Sequence, residues 1–401
     1  MYKFVNKKTK VIVFVIDIIG FVIWAILHVF TPKKIMGEKP VPAHPKKILL
    51  IRADYIGDVI LTTHTLSGIR KRFPESHITF LVSSKSREIL DGNPYINNII
   101  TYDPPWFFKR SFMQAFREYL NILFYIKKQK FDLAADFRGD VRNILFLTVF
   151  GGIPNRVSFA SSGGWFLLTS IVRYSASLHE SEYHTLIAET MGADIDKGAM
   201  PEIFIEESER TFAKNFLDSH NIRSDDMVVV IHQGARLPLK QWPLERYAEV
   251  GKYLIAEYGA KVILTGAYNE LLSVNKIKCL INNENVIIAA GVINSLKQLK
   301  ALFEMCSLFI GTSSGPSHLA ASANLPSVVI SGPESASQWR PVGNKYIIIR
   351  KDFTCSPCNE KRCTAKENCI ESVKVEDVTK GIRTLLNSTV RKEKQIISQG
   401  I

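Results

Sequence analysis

Three groups of residues in the 401-residue chain have types and spacings that could do chemistry. Gly311-Thr312-Ser313-Ser314-Gly315-Pro316-Ser317-His318 lies between the apolar run 307–310 and the small-residue run 319–324. A strand entering a helix through such a turn gathers backbone N–H groups at a helix N-terminus, a site for an anion such as phosphate. The plainer alternative is an ordinary strand-to-helix turn. Asp58 closes Ala53-Asp54-Tyr55-Ile56-Gly57-Asp58, where a first strand gives way to a helix. Its carboxylate could take a proton or simply cap the helix, and Asp54 is its neighbouring rival. Cys355-x2-Cys358-x4-Cys363-x5-Cys369 offers four thiols within fifteen residues. They suit a structural zinc, a metal cluster or, outside the cytoplasm, two disulfides.

The elements that must position these groups alternate in kind. Apolar runs at 48–52, 77–82, 96–102 and 131–137 read as buried strands, with a further one near 156–159. Helical periodicity covers 59–73 and 112–130. The alternation pauses near 201–208 and restarts with strands at 227–231, 261–265, 286–289, 307–310 and 327–330. Helices at 244–258, 269–281, 296–306 and from Gly315 separate them, and 375–386 has the spacing of a closing amphipathic helix. Two doubly wound α/β domains follow from this pattern, with ligands expected beyond the carboxyl ends of the strands. The remaining thiols, Cys279 and Cys306, fall in helical patterns and read as core.

The segment 11–30 holds fifteen Val, Ile, Leu and Phe residues, interrupted by Asp17, Gly20, Trp24, Ala25 and His28. On an insertion scale those fifteen contribute about −4.5 to −9 kcal/mol against roughly +3 for one central aspartate. An uncleaved membrane anchor is the expectation, and an interfacial helix the alternative; no small-x-small cleavage site follows. Lys33, Lys34, Lys39, Lys46 and Lys47 outnumber the lysines before the segment, which favours a cytoplasmic body. Residues 1–200 carry 26 Lys/Arg against 17 Asp/Glu, so the basic surplus gathers in the first half. It implies a partner rich in phosphate, either a membrane surface or a polyanionic substrate; no nucleic-acid module is evident.

Residues 51–74, with Ile56-Gly57-Asp58-Val59 and Phe73-Pro74, resemble the opening of the glycosyltransferase family 9 heptosyltransferases. The resemblance continues through Lys240-Gln241-Trp242-Pro243, Gly266-Ala267-Tyr268-Asn269-Glu270, Ser314-Gly315-Pro316-Ser317-His318 and Ser331-Gly332-Pro333. It implies a GT-B fold, with two facing Rossmann-like domains. It further implies inverting, metal-independent transfer of a sugar, usually heptose from ADP-heptose, to the lipopolysaccharide inner core at the cytoplasmic membrane face. By resemblance Asp58 is the general base, Lys240 stabilises the departing diphosphate and Glu270 contacts the donor nucleoside. Ser313, Ser314, Gly315 and His318 form the donor turn, His318 facing the diphosphate or packing at the helix start. Trp242 reads as core. The family's metal independence sets aside Asp194-Ile195-Asp196 as a metal pair.

Where the family usually has an acid before Ser/Thr-Gly, this chain has Ser313, which puts the identity of the donor sugar in question. His64 replaces a common proline. The expected organisation is an anchor and Pro-rich linker (1–45), an acceptor domain (46–205), a nucleotide-sugar domain (206–375) carrying the Cys-rich loop 355–369, and a closing helix with a frayed tail (376–401). The expected partners are a nucleotide sugar, a lipid-linked anionic glycan and a membrane surface. A nucleotide-sugar epimerase or a non-catalytic scaffold on the same fold are the competing readings.

Overall fold

The computed structural model describes residues 7–28, 40–175, 177–358, 363, 365 and 368–398. Most of the expected linker, part of the Cys-rich loop and the last three residues of the tail lie outside the described residues. The chain forms two compact units, Met1–Ala199 and Met200–Ile401.

In unit 1, α1 (Lys7–His28) precedes β1 (Lys47–Arg52), α2 (Ile56–Ile60), α3 (Leu66–Arg72), β2 (His77–Val82), β3 (Asn98–Thr101) and α4 (Phe112–Gln129). Then come β4 (Leu133–Asp136), α5 (Val141–Asn143) running into a π-helical turn (Ile144–Val149), β5 (Asn155–Phe159), β6 (Ser170–Val172) and α6 (Glu180–Thr190). The sheet is wholly parallel, in the order β3-β2-β1-β4-β5-β6. β1 sits at its centre because Ile48-Leu49-Leu50-Ile51 is apolar at every position, which a strand covered on both faces requires. The Ser111 hydroxyl accepts from the Gln114 N–H to start α4, and left-handed Lys130 ends it.

Unit 2 repeats the plan. α7 (Glu207–Ser219), β7 (Val228–His232), α8 (Leu244–Tyr258), β8 (Lys261–Thr265), α9 (Leu271–Ile281), β9 (Val286–Ile288) and α10 (Leu296–Glu304) lead to β10 (Leu308–Thr312). α11 (Gly315–Ser322), β11 (Ser327–Ile330), α12 (Ala336–Trp339), β12 (Tyr346–Ile349) and α13 (Val375–Ser398) complete it. The order is β12-β11-β10-β7-β8-β9, again all parallel. Val229, Ile231, Leu264, Ile310 and Ile330 pack with Trp242 and with Val378 and Ile382 of α13 into one core. In both units the strand order reverses beside the central strand, at β1/β4 and at β7/β10, where doubly wound folds bind ligands.

Three expectations change. α1 does not stand apart as a spanning anchor. It lies against unit 1, and among the described residues no helix is long and apolar enough to cross a membrane. The physical reason is Asp17, which is buried and accepts a hydrogen bond from the Gly164 N–H at 2.6 Å, committing that helix face to the domain. α13 continues to Ser398, through the start of the tail expected to fray from residue 392. Cys279 is exposed on α9 and is not a core residue.

Candidate active site

β1 ends on Arg52, whose fully buried guanidinium is the hub of the polar interior of unit 1. Its Nε donates to Asp54 Oδ1 at 3.0 Å, and its Nη2 donates to Asp58 Oδ1 at 2.5 Å and to Glu180 Oε1 at 2.9 Å. Nη1 donates to the Phe137 carbonyl at 2.6 Å and to His184 Nε2 at 3.0 Å. Arg138 donates to the other oxygen of Asp54. Three carboxylates therefore meet two guanidinium groups, leaving one negative charge in surplus where little water reaches.

Burial and the neighbouring charges together set the protonation states. Burial and the Asp54 charge push the Asp58 carboxyl up to about 6, against the opposing pull of Arg52. Burial works to raise Glu180 too, but the Arg52 guanidinium that donates to it outweighs this and holds Glu180 well below the usual carboxylate range. Burial, and then the Arg52 charge, depress the His184 imidazole. Its Nδ1–H donates to the Leu61 carbonyl at 2.9 Å, which leaves Nε2 free to accept from Arg52. Asp58 is thus the member that takes a proton most readily, and it retains 8% of its surface where Asp54 retains none. It is not a cap, because α2 begins at Tyr55 without a side-chain cap and the Asp58 carboxylate turns to Arg52. His64 is buried and paired through both ring nitrogens, with Leu61 O and Thr185 Oγ1, so the change from proline is accommodated as structure.

Unit 2 assembles the second group at the carboxyl ends of β7, β8, β10 and β11. Glu270 Oε2 accepts from the Ala267 N–H at 2.7 Å. A Cβ at Gly234 would stand 2.2 Å from its Oε1, so glycine there lets the carboxylate lie where it does, and one at Gly266 would crowd Oε2 at 3.1 Å. Beside it, the Gln233 side chain is 3% exposed, and neither its amide oxygen nor its nitrogen has a partner. Burial lowers the His232 imidazole, with Glu270 opposing.

Ser313 is nearly buried and follows Thr312, whose hydroxyl donates to Gly234 O at 3.3 Å. Ser314 caps α11 reciprocally with Ser317, Pro316 lies in the first turn, and His318 is buried at the same end. The turn expected to bind an anion is therefore an intact helix N-terminus on an eight-residue helix. Lys240 is partly buried. It pairs with Glu334 at 3.4 Å, and Glu334 Oε1 also accepts from Ser331 Oγ. Trp242 is core, its indole N–H donating to Val373 O.

The structure brings Asp58 together with Arg52, Asp54, Arg138, Glu180 and His184, and groups Lys240, Glu270, Ser313, Ser314, Gly315 and His318 in the other unit. The Cys-rich loop lies against the turn before Glu334, the Cys358 N–H donating to Pro333 O at 2.8 Å. Cys355 and Cys363 are exposed, Cys358 and Cys369 half-buried, and all four are free thiols. Among the described residues no three His, Cys, Asp or Glu side chains come together as metal ligands. Asp194 and Asp196 are exposed and likewise form no such group.

Arg52, Arg138, Glu180, His184, Gln233 and Glu334 were not singled out by sequence reasoning. A charged residue closing an otherwise apolar strand (Arg52) and a Glu-x-x-x-His spacing (Glu180, His184) were the signals available.

The profile of Glycosyltransferase family 9 (heptosyltransferase) matches residues 122–368. Over 319 residues the chain is 24% identical to lipopolysaccharide heptosyltransferase 2 of Escherichia coli (strain K12), spanning 76% of this chain and 88% of that one. Among solved structures it is similar to a family 9 glycosyl transferase from Veillonella parvula DSM 2008, with TM-score 0.72 and 23% identity over 86% of this chain and 98% of that one. It is also similar to E. coli heptosyltransferase WaaC with ADP-2-deoxy-2-fluoro heptose, with TM-score 0.62 and 17% identity over 84% and 99%. These structural likenesses show a shared GT-B-like fold.

Proposed function

The chain belongs to glycosyltransferase family 9, and from that membership we propose an inverting sugar transfer in which Asp58 is the general base. The donor is a nucleoside-diphosphate sugar, ADP-heptose in the first instance, since the heptosyltransferase WaaC structure holds an ADP-heptose analogue. The acceptor is a hydroxyl of the lipopolysaccharide core or a related lipid-linked anionic glycan, at the cytoplasmic face of the membrane. The basic surplus of the first 200 residues supports a phosphate-bearing acceptor or surface.

In the reaction the acceptor oxygen bonds to the anomeric carbon as the bond from that carbon to the diphosphate breaks. The hydroxyl proton passes to Asp58, and the electron pair leaves on the diphosphate. Arg52 holds Asp58 Oδ1, which leaves the second oxygen to meet the hydroxyl. A carboxyl raised to about 6 is ionised at neutral pH and still a competent base. Lys240 offsets the charge on the leaving group, helped by the first turn of α11. No catalytic metal enters this scheme.

The observation that carries the reading is the surplus carboxylate gathered on Arg52. The test is ADP release from ADP-heptose with a core-oligosaccharide acceptor. Asp58→Asn should lower kcat by roughly 10²- to 10⁴-fold with donor affinity unchanged. Activity equal to the unsubstituted protein would remove Asp58 from the mechanism.

A second reading concerns the donor alone. Ser313 presents a neutral hydroxyl where the family usually has an acid, and neutral hydrogen bonds are roughly half as strong as charge-assisted ones. A panel of nucleotide sugars, scored by nucleoside-diphosphate release, separates a heptose donor from another sugar.

A further inference from the structure

α1 presents two unlike faces. One is a narrow strip held to unit 1: Asp17 accepts from Gly164, Phe21 stacks on Trp165 with ring centroids 5.0 Å apart, and Gly20 lies under the Phe166 ring. Gly163 and Gly164 have positive φ, and a Cβ at Gly163 would stand 2.8 Å from the Asp17 carboxylate, so the loop is shaped to receive this helix. The other face is wide. At 100° per residue the exposed apolar residues run from Phe14 through Ile18, Val22, Ile26 and Ile19 to Ile16, an arc of about 200° away from the packed strip, and every one is roughly half or more exposed. Between residues 11 and 26 this arc carries no charged or polar side chain.

We propose that this arc is a bilayer-docking face, by which α1 lies in the plane of one leaflet while still clamped to unit 1. The width of the arc selects the occupant. A helix from a second copy covers one seam about two residues wide per heptad and would leave the rest of the arc in water, whereas a leaflet covers all of it at once. Lys3 precedes the helix in sequence, Lys7, Lys8 and Lys10 lie in its first four residues, and Lys33, Lys34 and Lys39 follow it, so both ends carry charge complementary to anionic headgroups. The clamp selects the orientation. A spanning helix would have to leave the loop and carry Asp17 into hydrocarbon without the Gly164 N–H, whereas a helix lying flat keeps that bond. The inference deepens the membrane placement proposed above and supplies the contact that would hold the acceptor domain at the surface from which a lipid-linked glycan projects.

The experiment uses the full chain and vesicles of phosphatidylglycerol and phosphatidylethanolamine. The protein should float with the vesicles, and Val15→Glu with Ile19→Glu should reduce the floated fraction at least tenfold. Because both positions face outward, the thermal transition in vesicle-free solution should not move. A fluorophore on Val11→Cys, Ile18→Cys or Ile26→Cys, with Cys279, Cys355 and Cys363 replaced by serine, reports depth through lipid-borne quenchers. Equal, shallow depths at the three positions support a helix lying flat. A deep value at position 18 flanked by shallow ones at 11 and 26 is the signature of spanning and would overturn the proposal. So would a dimer whose arc is covered and which ignores vesicles. Flotation requires no sugar transfer, so vesicle binding without transferase activity would count against the proposed reaction alone. Transfer without vesicle binding would count against docking alone.

Discussion

Arg52 Nη2 lies 2.5 Å from Asp58 Oδ1 and 2.9 Å from Glu180 Oε1, so a single nitrogen joins the carboxylate that takes a proton to one that repels it. The proton affinity of Asp58 is therefore a balance: burial, Asp54 and Glu180 raise it, while Arg52 and Arg138 lower it. Each neighbour can be removed separately, and each removal has a signed consequence.

Glu180→Gln keeps the shape of the side chain and its contact with Arg52 but removes a negative charge. Asp58 then loses a neighbouring negative charge that raises its affinity for the proton. The acid limb of kcat/KM against pH, near 6 in the unsubstituted protein, should move to lower pH by up to about one unit. Donor KM should stay where it was. A limb that stays put or moves upward would show that Asp58 does not sense Glu180.

Asp58 also has a stability signature. Its carboxyl is raised from 3.8 to about 6 on folding, so between those values the native state binds more protons than the unfolded one. That group's contribution to stability is present below about 4 and is lost as pH rises through 6. Asp58→Asn cannot titrate, so its stability relative to the unsubstituted protein should climb between pH 4 and 6 and be level on either side. The amplitude should be on the order of 1–3 kcal/mol. Denaturant midpoints at a series of pH values measure it, and a flat difference would contradict the raised carboxyl.

Much of this arrangement was legible beforehand and part of it was not. Strands such as Lys47–Arg52 and Val228–His232 announce themselves because a parallel strand covered on both faces must be apolar throughout. Asp58 stood out for its place after such a strand. Glu180 and His184 did not, because α6 is short and rich in polar residues, and their partner Arg52 is more than 120 residues away in the chain. β12 was missed since it follows an irregular stretch, and β6 because three residues carry too little pattern. The pairing of Lys240 with Glu334 joins two loops that no local spacing relates.

That pairing makes a prediction about the donor. Glu334 competes with an incoming diphosphate for the Lys240 ammonium. Glu334→Gln should release the lysine and tighten ADP binding severalfold, while Lys240→Ala should weaken it by roughly tenfold to a hundredfold, as for a lost charge-assisted contact. Isothermal titration with ADP reads both. If Glu334→Gln weakens ADP binding, the carboxylate is holding Lys240 in place and is not a competitor.

Gln233 offers the sharpest separation of binding from folding. Its amide is buried at the end of β7, beside Gly266 and Glu270, with neither polar atom satisfied by another residue. Leaving such a group unpaired costs stability, which is tolerated when a ligand supplies the missing partner. Gln233→Met keeps the length and removes the unpaired atoms, so the protein without donor should be as stable as before or more so. Donor nucleotide affinity should fall roughly threefold to tenfold, the worth of one or two neutral hydrogen bonds. Thermal unfolding with and without ADP distinguishes the outcomes. A raised transition without nucleotide and a smaller ADP-induced shift assign the amide to the donor, whereas loss of stability without any change in that shift assigns it to packing.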